Sequence, residues 1–273
     1  MSTNQAIKQF LPAVLALSRQ AGLATLPYFH REKEMQQQQK QDHSVLTQAD
    51  LISDAIVREK LQQIEPAIPI LTEETVSQFP WSVRQQWTTY WLVDPLDGTR
   101  GFAQGDPFYT VNVALIVGHK PVLGVVYAPV SDELYYAVAS NGAFFEGSDG
   151  EAHQLHTAPL DTSSMRAVTG HFCDNESHYE ALKQRESMQL SHMNSSYKFC
   201  SIVRNQHDLY PKYTPTSEWD TAASQVIVQE AGGAVVNESG QPLTYNTKES
   251  LINPSFLAIG DASRTQEILQ LIF

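Results

Sequence analysis

The sequence predicts a mixed α/β fold, α+β in the order of its strands, built in two lobes. Three observations predict it. Apolar segments between Tyr90 and Ala139 follow one another across short turns, as the strands of an antiparallel sheet do. Amphipathic helical periodicity precedes them, so helices pack against that sheet. Beyond about Gly150 the pattern changes to short strands alternating with helical segments, which predicts a second α/β lobe. The lobes are assigned to residues 1–150 and 151–273; no Gly/Ser linker divides them, so they share an interface, and there is no internal repeat.

From Ile7, the residues Phe10, Leu11, Val14, Leu15, Leu17 and Ala21 recur at helical spacing, with Pro12 near the helix start and Gly22 interrupting or ending it. The polar tract Gln36-Gln37-Gln38-Gln39 reads as a surface loop or turn. Thr47-Gln48-Ala49-Asp50 has the form of a capping box and opens a helix that buries Leu51, Ile52, Ala55 and Ile56. Strands are predicted at Ile68 to Leu71, Tyr90 to Val93, Tyr109 to Val117, Val122 to Ala128 and Glu133 to Ala139. In the second lobe they fall at Arg166 to Thr169, Phe199 to Val203, Ala234 to Val236 and Phe256 to Ile259, with a helix from Thr221 to Ala231.

Over 273 residues, Lys plus Arg total 18 against 30 Asp plus Glu, a net charge of -12 that argues against a nonspecific nucleic-acid surface. An acidic protein that handles anions needs local positive charge, from a bound divalent cation or from a few placed Lys and Arg side chains. Cys173 and Cys200 are too few for a disulfide framework and have no metal-binding spacing, which fits a reducing, cytoplasmic setting. Lys8 interrupts the apolar run near the N-terminus, so neither a secretory signal nor a membrane span is expected. Peripheral contact with an inner membrane stays open, as does the choice between monomer and homodimer.

In Trp91-Leu92-Val93-Asp94-Pro95-Leu96-Asp97-Gly98-Thr99-Arg100 an apolar strand runs into a turn carrying two aspartates. Pro95 lacks an amide hydrogen and fixes its backbone, so Asp94, the Leu96 carbonyl and Asp97 can converge as the hard oxygen ligands that magnesium prefers. Gly98 then lets the Thr99 amide approach a phosphate. The same residues also make an ordinary turn. Glu73-Glu74 at the end of the preceding strand, and Asp220 in Glu218-Trp219-Asp220-Thr221-Ala222-Ala223, have plain readings too, as a solvated strand end and a helix N-cap.

Taken in order, Glu-Glu, Asp-Pro-Leu-Asp-Gly-Thr and Trp-Asp-Thr-Ala-Ala resemble the lithium-sensitive, magnesium-dependent phosphatases of the inositol-monophosphatase superfamily, from Val45 to Pro254. The resemblance implies a layered α/β/α/β/α sandwich. It also implies one Mg²⁺ on Glu73, Asp94 and the Leu96 carbonyl, a second on Asp94, Asp97 and Asp220, and a third, weaker ion near Glu73. Thr99 and Asp50 would orient the attacking water, an arrangement that competes for Asp50 with the capping box.

Ser195-Ser196-Tyr197-Lys198-Phe199-Cys200, followed by Leu209-Tyr210-Pro211-Lys212, is similar to the nucleotide side of the CysQ-type 3′(2′),5′-bisphosphate nucleotidases. That group's implied substrate is adenosine 3′,5′-bisphosphate, cleaved at its 3′-phosphate to AMP, with the sulfated parent nucleotide as a second substrate. Gly98, Thr99, Ser195, Ser196, Lys198, Lys212 and Asp220 are then the substrate contacts. Otherwise Lys198 is a solvated lysine on a half-buried strand. Two departures stand out: Arg100-Gly101-Phe102 where Lys-Glu-Phe is usual, and Val168-Thr169-Gly170-His171 where Ser-Arg-Ser-His is common. Action on inositol phosphates or fructose 1,6-bisphosphate, and noncatalytic binding of metal or phosphate, are the rival readings.

Overall fold

A computed structural model describes residues 3–31, 37–39, 45–171 and 176–273, which leaves Cys173 and Gln36 outside. Helices α1 (Thr3–Lys8) and α2 (Leu11–Phe29) open the chain, and β1 (Gln37–Gln39) pairs antiparallel with β2 (Val45–Thr47) ahead of α3 (Gln48–Ile64). Then come β3 (Ile70–Thr72), α4 (Trp81–Arg84), β4 (Thr89–Asp97), α5 (Thr99–Ala103), β5 (Thr110–Val117), β6 (Lys120–Ala128), β7 (Glu133–Val138), β8 (Ala143–Glu146) and β9 (Ala152–Leu155). The remainder comprises β10 (Met165–Thr169), α6 (Glu176–Lys183), β11 (Met188–His192), α7 (Tyr197–Val203), β12 (Leu209–Lys212), α8 (Ala222–Glu230), β13 (Ala234–Asn237), β14 (Phe256–Ile259) and α9 (Thr265–Ile272).

Among the described residues, β3 to β9 form a seven-stranded sheet in sequence order, and a five-stranded sheet runs β11-β10-β12-β14-β13. Trp91, Val93, Val113 and Val125 of the large sheet cluster with Val14, Leu17 and Ala21 of α2 and Val57 and Leu61 of α3. Tyr90, Leu92, Ala114 and Val126, on its other face, cluster with α7, α8 and the near face of the small sheet. The far face of the small sheet packs on α6 and α9. The five layers alternate helix and sheet, as expected. Both faces of the central strands are covered, which is why Thr110–Val117 is a nearly continuous apolar run rather than an alternating one.

Several expectations need correction. The large sheet is mixed, because β3 pairs parallel with β4 while β4 to β9 are antiparallel. Gln37–Gln39 is a strand, since ladder bonds use backbone groups that polar side chains do not disqualify. Tyr197–Val203 is a helix with all of its residues buried; a short apolar run sandwiched between two sheets carries no period that separates helix from strand. Gly22 does not end α2 but lies inside it, where a Cβ would come within 2.5 Å of the Tyr127 ring, so the glycine lets the helix sit close against β6.

Gly124 plays the same part on the opposite face. A Cβ there would meet the Ala223 carbonyl oxygen and come within 2.6 Å of Val226, so α8 rests directly on the β6 backbone. Ala in a strand is ordinarily no worse than Gly. Gly124→Ala should nevertheless destabilise the protein by about 2 kcal/mol, the typical cost of overpacking, read from a urea midpoint at unchanged slope. An unaltered midpoint would contradict this packing.

Candidate active site

The site forms where β4 ends. β4 follows β5 in register to Asp94 opposite Asn112, then resumes with Asp97 opposite Thr110, so one extra residue is bulged out at Pro95-Leu96. Pro95 suits that position because it has no ladder hydrogen to lose. The Leu96 amide donates to Asp94 Oδ1 at 3.0 Å, and Ser53 of α3 donates to the Pro95 carbonyl at 2.6 Å, so the bulge is held from inside and from behind. Gly98 follows at φ +94, a backbone that side chains disfavour, and its missing Cβ leaves room for Ser195.

Glu73 extends the β3 pairing, its amide donating to the Val93 carbonyl at 3.1 Å. Asp220 ends a short turn of 3₁₀-helix at Glu218–Asp220, capped through the Ser217 amide, which donates to Asp220 Oδ2 at 2.9 Å. Since α8 starts immediately afterwards and lies on Gly124, its docking fixes where Asp220 comes to rest. The outcome is that carboxylate oxygens of Asp94, Asp97 and Asp220 all lie within 4.8 Å of one another. Glu73 stands outside that group of three, yet its charge acts on Asp94, Asp220 and Asp50.

Electrostatics makes this cluster costly when no cation is present. Burial first, then the charges of Glu73, Asp97 and Asp220, push the Asp94 carboxyl well above the usual carboxylate range. Burial, then Asp97 and Glu73, do the same to Asp220, with Lys212 pulling back. A carboxyl whose folded value is raised holds its proton more tightly when folded, so it costs stability as pH rises through the ordinary carboxylate range, and the full cost is present above the folded value. The donor set, all hard anionic oxygens, suits Mg²⁺ or another hard divalent cation.

Asp50 resolves the competition seen in the sequence by serving both arrangements. Its Oδ2 accepts from the Thr47 amide at 2.8 Å and the Thr47 hydroxyl at 2.5 Å, completing the capping box, while Oδ1 accepts from Thr99 Oγ1 at 2.9 Å. One side chain makes both sets of contacts because a carboxylate has two oxygens pointing in different directions. Burial, against the hydrogen bonds from Thr47 and Thr99, raises Asp50 to about 6. The Thr99 hydroxyl also lies 3.1 Å from the Leu96 carbonyl, so its single proton serves one acceptor at a time.

Ser195, Ser196, Lys198 and Lys212 come together around a cavity of about 160 Å³ that also touches Asp97, Asp220, Tyr210 and Phe256. Lys198 is on a helix, not a strand; its Nζ donates to the Ser195 carbonyl at 2.5 Å and lies 5.0 Å from the centre of the Tyr210 ring. Ser196 donates its amide to Asp97 Oδ2 at 2.6 Å. A larger cavity of about 580 Å³ between α3 and residues 66–79 touches none of the expected site residues. Sequence reasoning missed Asn112, Tyr210, Thr216 and Phe256. For Asn112 a signal was available, a lone amide in an otherwise apolar, doubly covered strand.

The chain is similar to known proteins over most of its length. A family model for the Inositol monophosphatase family matches residues 7–270. The 3′(2′),5′-bisphosphate nucleotidase CysQ of Salmonella typhimurium is 40% identical over 246 residues, covering 90% of this chain and 98% of that protein. Its counterpart in Escherichia coli K12 is 37% identical, also over 90% and 98%. A crystal structure of CysQ from Bacteroides thetaiotaomicron, described as a bacterial member of the inositol monophosphatase family, has a TM-score of 0.77 at 31% identity, covering 92% of this chain and 97% of that one.

If the carboxylate cluster takes divalent ions, Mn²⁺ or Mg²⁺ at about a hundred times its dissociation constant should add about 2.7 kcal/mol to stability. Asp94→Asn should lose that increment and, with chelator, be at least as stable as wild type at neutral pH, because it removes a carboxyl whose ionisation burial and neighbouring acids oppose. A wild-type unfolding midpoint that ignores both ions would contradict the assignment.

Proposed function

Because the chain belongs to the inositol monophosphatase family, we propose that it is a Mg²⁺-dependent 3′(2′),5′-bisphosphate nucleotidase that hydrolyses the 3′-phosphate of adenosine 3′,5′-bisphosphate. The observation that carries the reading is one continuous site. Three convergent carboxylates share a wall, through Asp97 and Asp220, with a cavity edged by two lysines. At about 160 Å³ that cavity is smaller than the roughly 300–1,000 Å³ of a whole-ligand pocket, so it suits one anionic substituent. Lys198 and Lys212 would hold the phosphate that stays, with Ser195 as a hydroxyl partner, while the phosphate to be cleaved lies against the carboxylate side. In a protein of net charge -12, two placed cations are what a doubly anionic substrate requires.

Glu73, Asp94, the Leu96 carbonyl, Asp97 and Asp220 would hold the two or three Mg²⁺ ions. Once bound, those ions would supply charge neutralisation and Lewis-acid polarisation of the phosphoryl group. The chain's own groups would position the water: with its proton directed to Asp50, Thr99 keeps its lone pairs to accept from that water, and Gly98 would let the Thr99 amide approach the phosphate. The reading places the enzyme in sulfate assimilation in the cytoplasm, with lithium inhibition and the sulfated parent nucleotide as a further substrate. No helix among the described residues is long and apolar enough to cross a membrane.

Phosphate release from adenosine 3′,5′-bisphosphate and from inositol 1-phosphate, measured with Mg²⁺, with chelator and with lithium, tests this reading. Mg²⁺-dependent turnover that favours the nucleotide is expected; a preference for the inositol phosphate, or turnover indifferent to chelator, would overturn it. Lys198→Ala should raise KM for the bisphosphate about tenfold, the loss of roughly 1.4 kcal/mol of uniform binding, and leave a simple monoester unaffected. Equal effects on both substrates would remove the case for Lys198 as a phosphate contact.

A further inference from the structure

We infer that Ser196 and Asn112 are positioning residues of the carboxylate site, fixing one oxygen of Asp97 so that the other is offered to the cation. The inference rests on the metal reading proposed above, and it moves Ser196 from the substrate to the ligand. Three donor groups converge on Asp97 Oδ2: the Ser196 amide at 2.6 Å, Asn112 Nδ2 at 3.2 Å, and the Ser196 hydroxyl, whose single proton also has the Asp220 carbonyl within reach. That saturates the oxygen, and Oδ1 is left for the site.

The two residues also hold one another. Asn112 Nδ2 lies 2.9 Å from Ser196 Oγ, which in turn lies 2.7 Å from the backbone carbonyl of Asp220. Through one hydroxyl, Ser196 therefore touches both the side chain of Asp97 and the main chain of Asp220. Ser196 and Asn112 are both buried, and although Ser196 borders the cavity, its polar atoms are spent on these contacts.

Two features indicate that the fold bears a cost for this arrangement. Among the described residues the buried Asn112 Oδ1 finds no hydrogen-bond partner, while both amide hydrogens are engaged. Turning the amide over would face an acceptor onto the Asp97 carboxylate, so the orientation is set by the donors it supplies. Ser195, just before Ser196, adopts φ +55, a left-handed backbone uncommon outside glycine. That turn brings the next residue's amide and hydroxyl onto the same oxygen. Asn194, one residue earlier, donates to Asp106 beyond α5, so the loop is tied to residues on both sides of that helix, Asp97 before it and Asp106 after it.

Mn²⁺ titration by electron paramagnetic resonance, on wild type, Ser196→Ala and Asn112→Ala, tests the inference without relying on turnover. The variants should bind Mn²⁺ roughly 10–100-fold more weakly, as losses of outer-shell partners do, and at saturating metal should keep the wild-type KM for adenosine 3′,5′-bisphosphate. Two variants on different elements guard against misfolding of either one. Unchanged Mn²⁺ affinity in both, or a raised KM with Mn²⁺ binding intact, would overturn the positioning role. Failure of wild type to bind Mn²⁺ would instead overturn the metal reading on which it stands.

Discussion

Like-charge crowding is the constraint around which this molecule is arranged. Asp94, Asp97 and Asp220 place carboxylate oxygens within 4.8 Å of one another, and Glu73 adds its field from β3. None of these groups gains from such neighbours in the metal-free protein, so their convergence is imposed by packing elsewhere. The bulge in β4 turns Asp94 and Asp97 toward one point, and α8 delivers Asp220 because it can lie on Gly124 and bury Val226, Ile227 and Val228. Apolar burial of about 1.5–3 kcal/mol for each such side chain holds the acids together until a cation can offset their repulsion.

How far the sequence is legible depends on what surrounds each segment. β4 to β7 stand out because both faces are covered and the strands are long, so apolar runs mark them to within a residue or two at most boundaries. β9 escapes notice because three of its four residues are exposed, and β11 because it is a sheet edge with mixed burial. α7 was misread for the opposite reason: it is buried on every side, so no polar face betrays its helical period. Parallel pairing of β3 with β4 leaves no mark in either strand, since it is set by the crossover through α4.

The site shows the same division. Carboxylates in the family's order could be read from the chain, and the structure brings Asp94, Asp97 and Asp220 together. The residues that aim them could not, because a serine at a loop and an asparagine in a strand acquire meaning only from the contact across the layers. Asp50 is instructive in both respects. Its capping box was visible, and so was its suitability for Thr99, but that one carboxylate does both depends on α3 and the β4 turn meeting edge to edge.

The loop at 194–196 joins the two halves of the site. Ser195 lies against Gly98, Ser196 against Asp97, and α7 then carries Lys198 into the cavity. The carboxylate cluster and the lysine-edged cavity are therefore set by one short stretch of chain. Whether Asp94, Asp97 and Asp220 form a divalent-cation site can be seen in anomalous difference maps from crystals grown with Mn²⁺. Peaks within coordination distance of Asp94, Asp97 and Asp220 are predicted. Density confined to other potential ligands, such as Asp149, Glu151 and His153, with the three aspartates bare, would contradict this assignment.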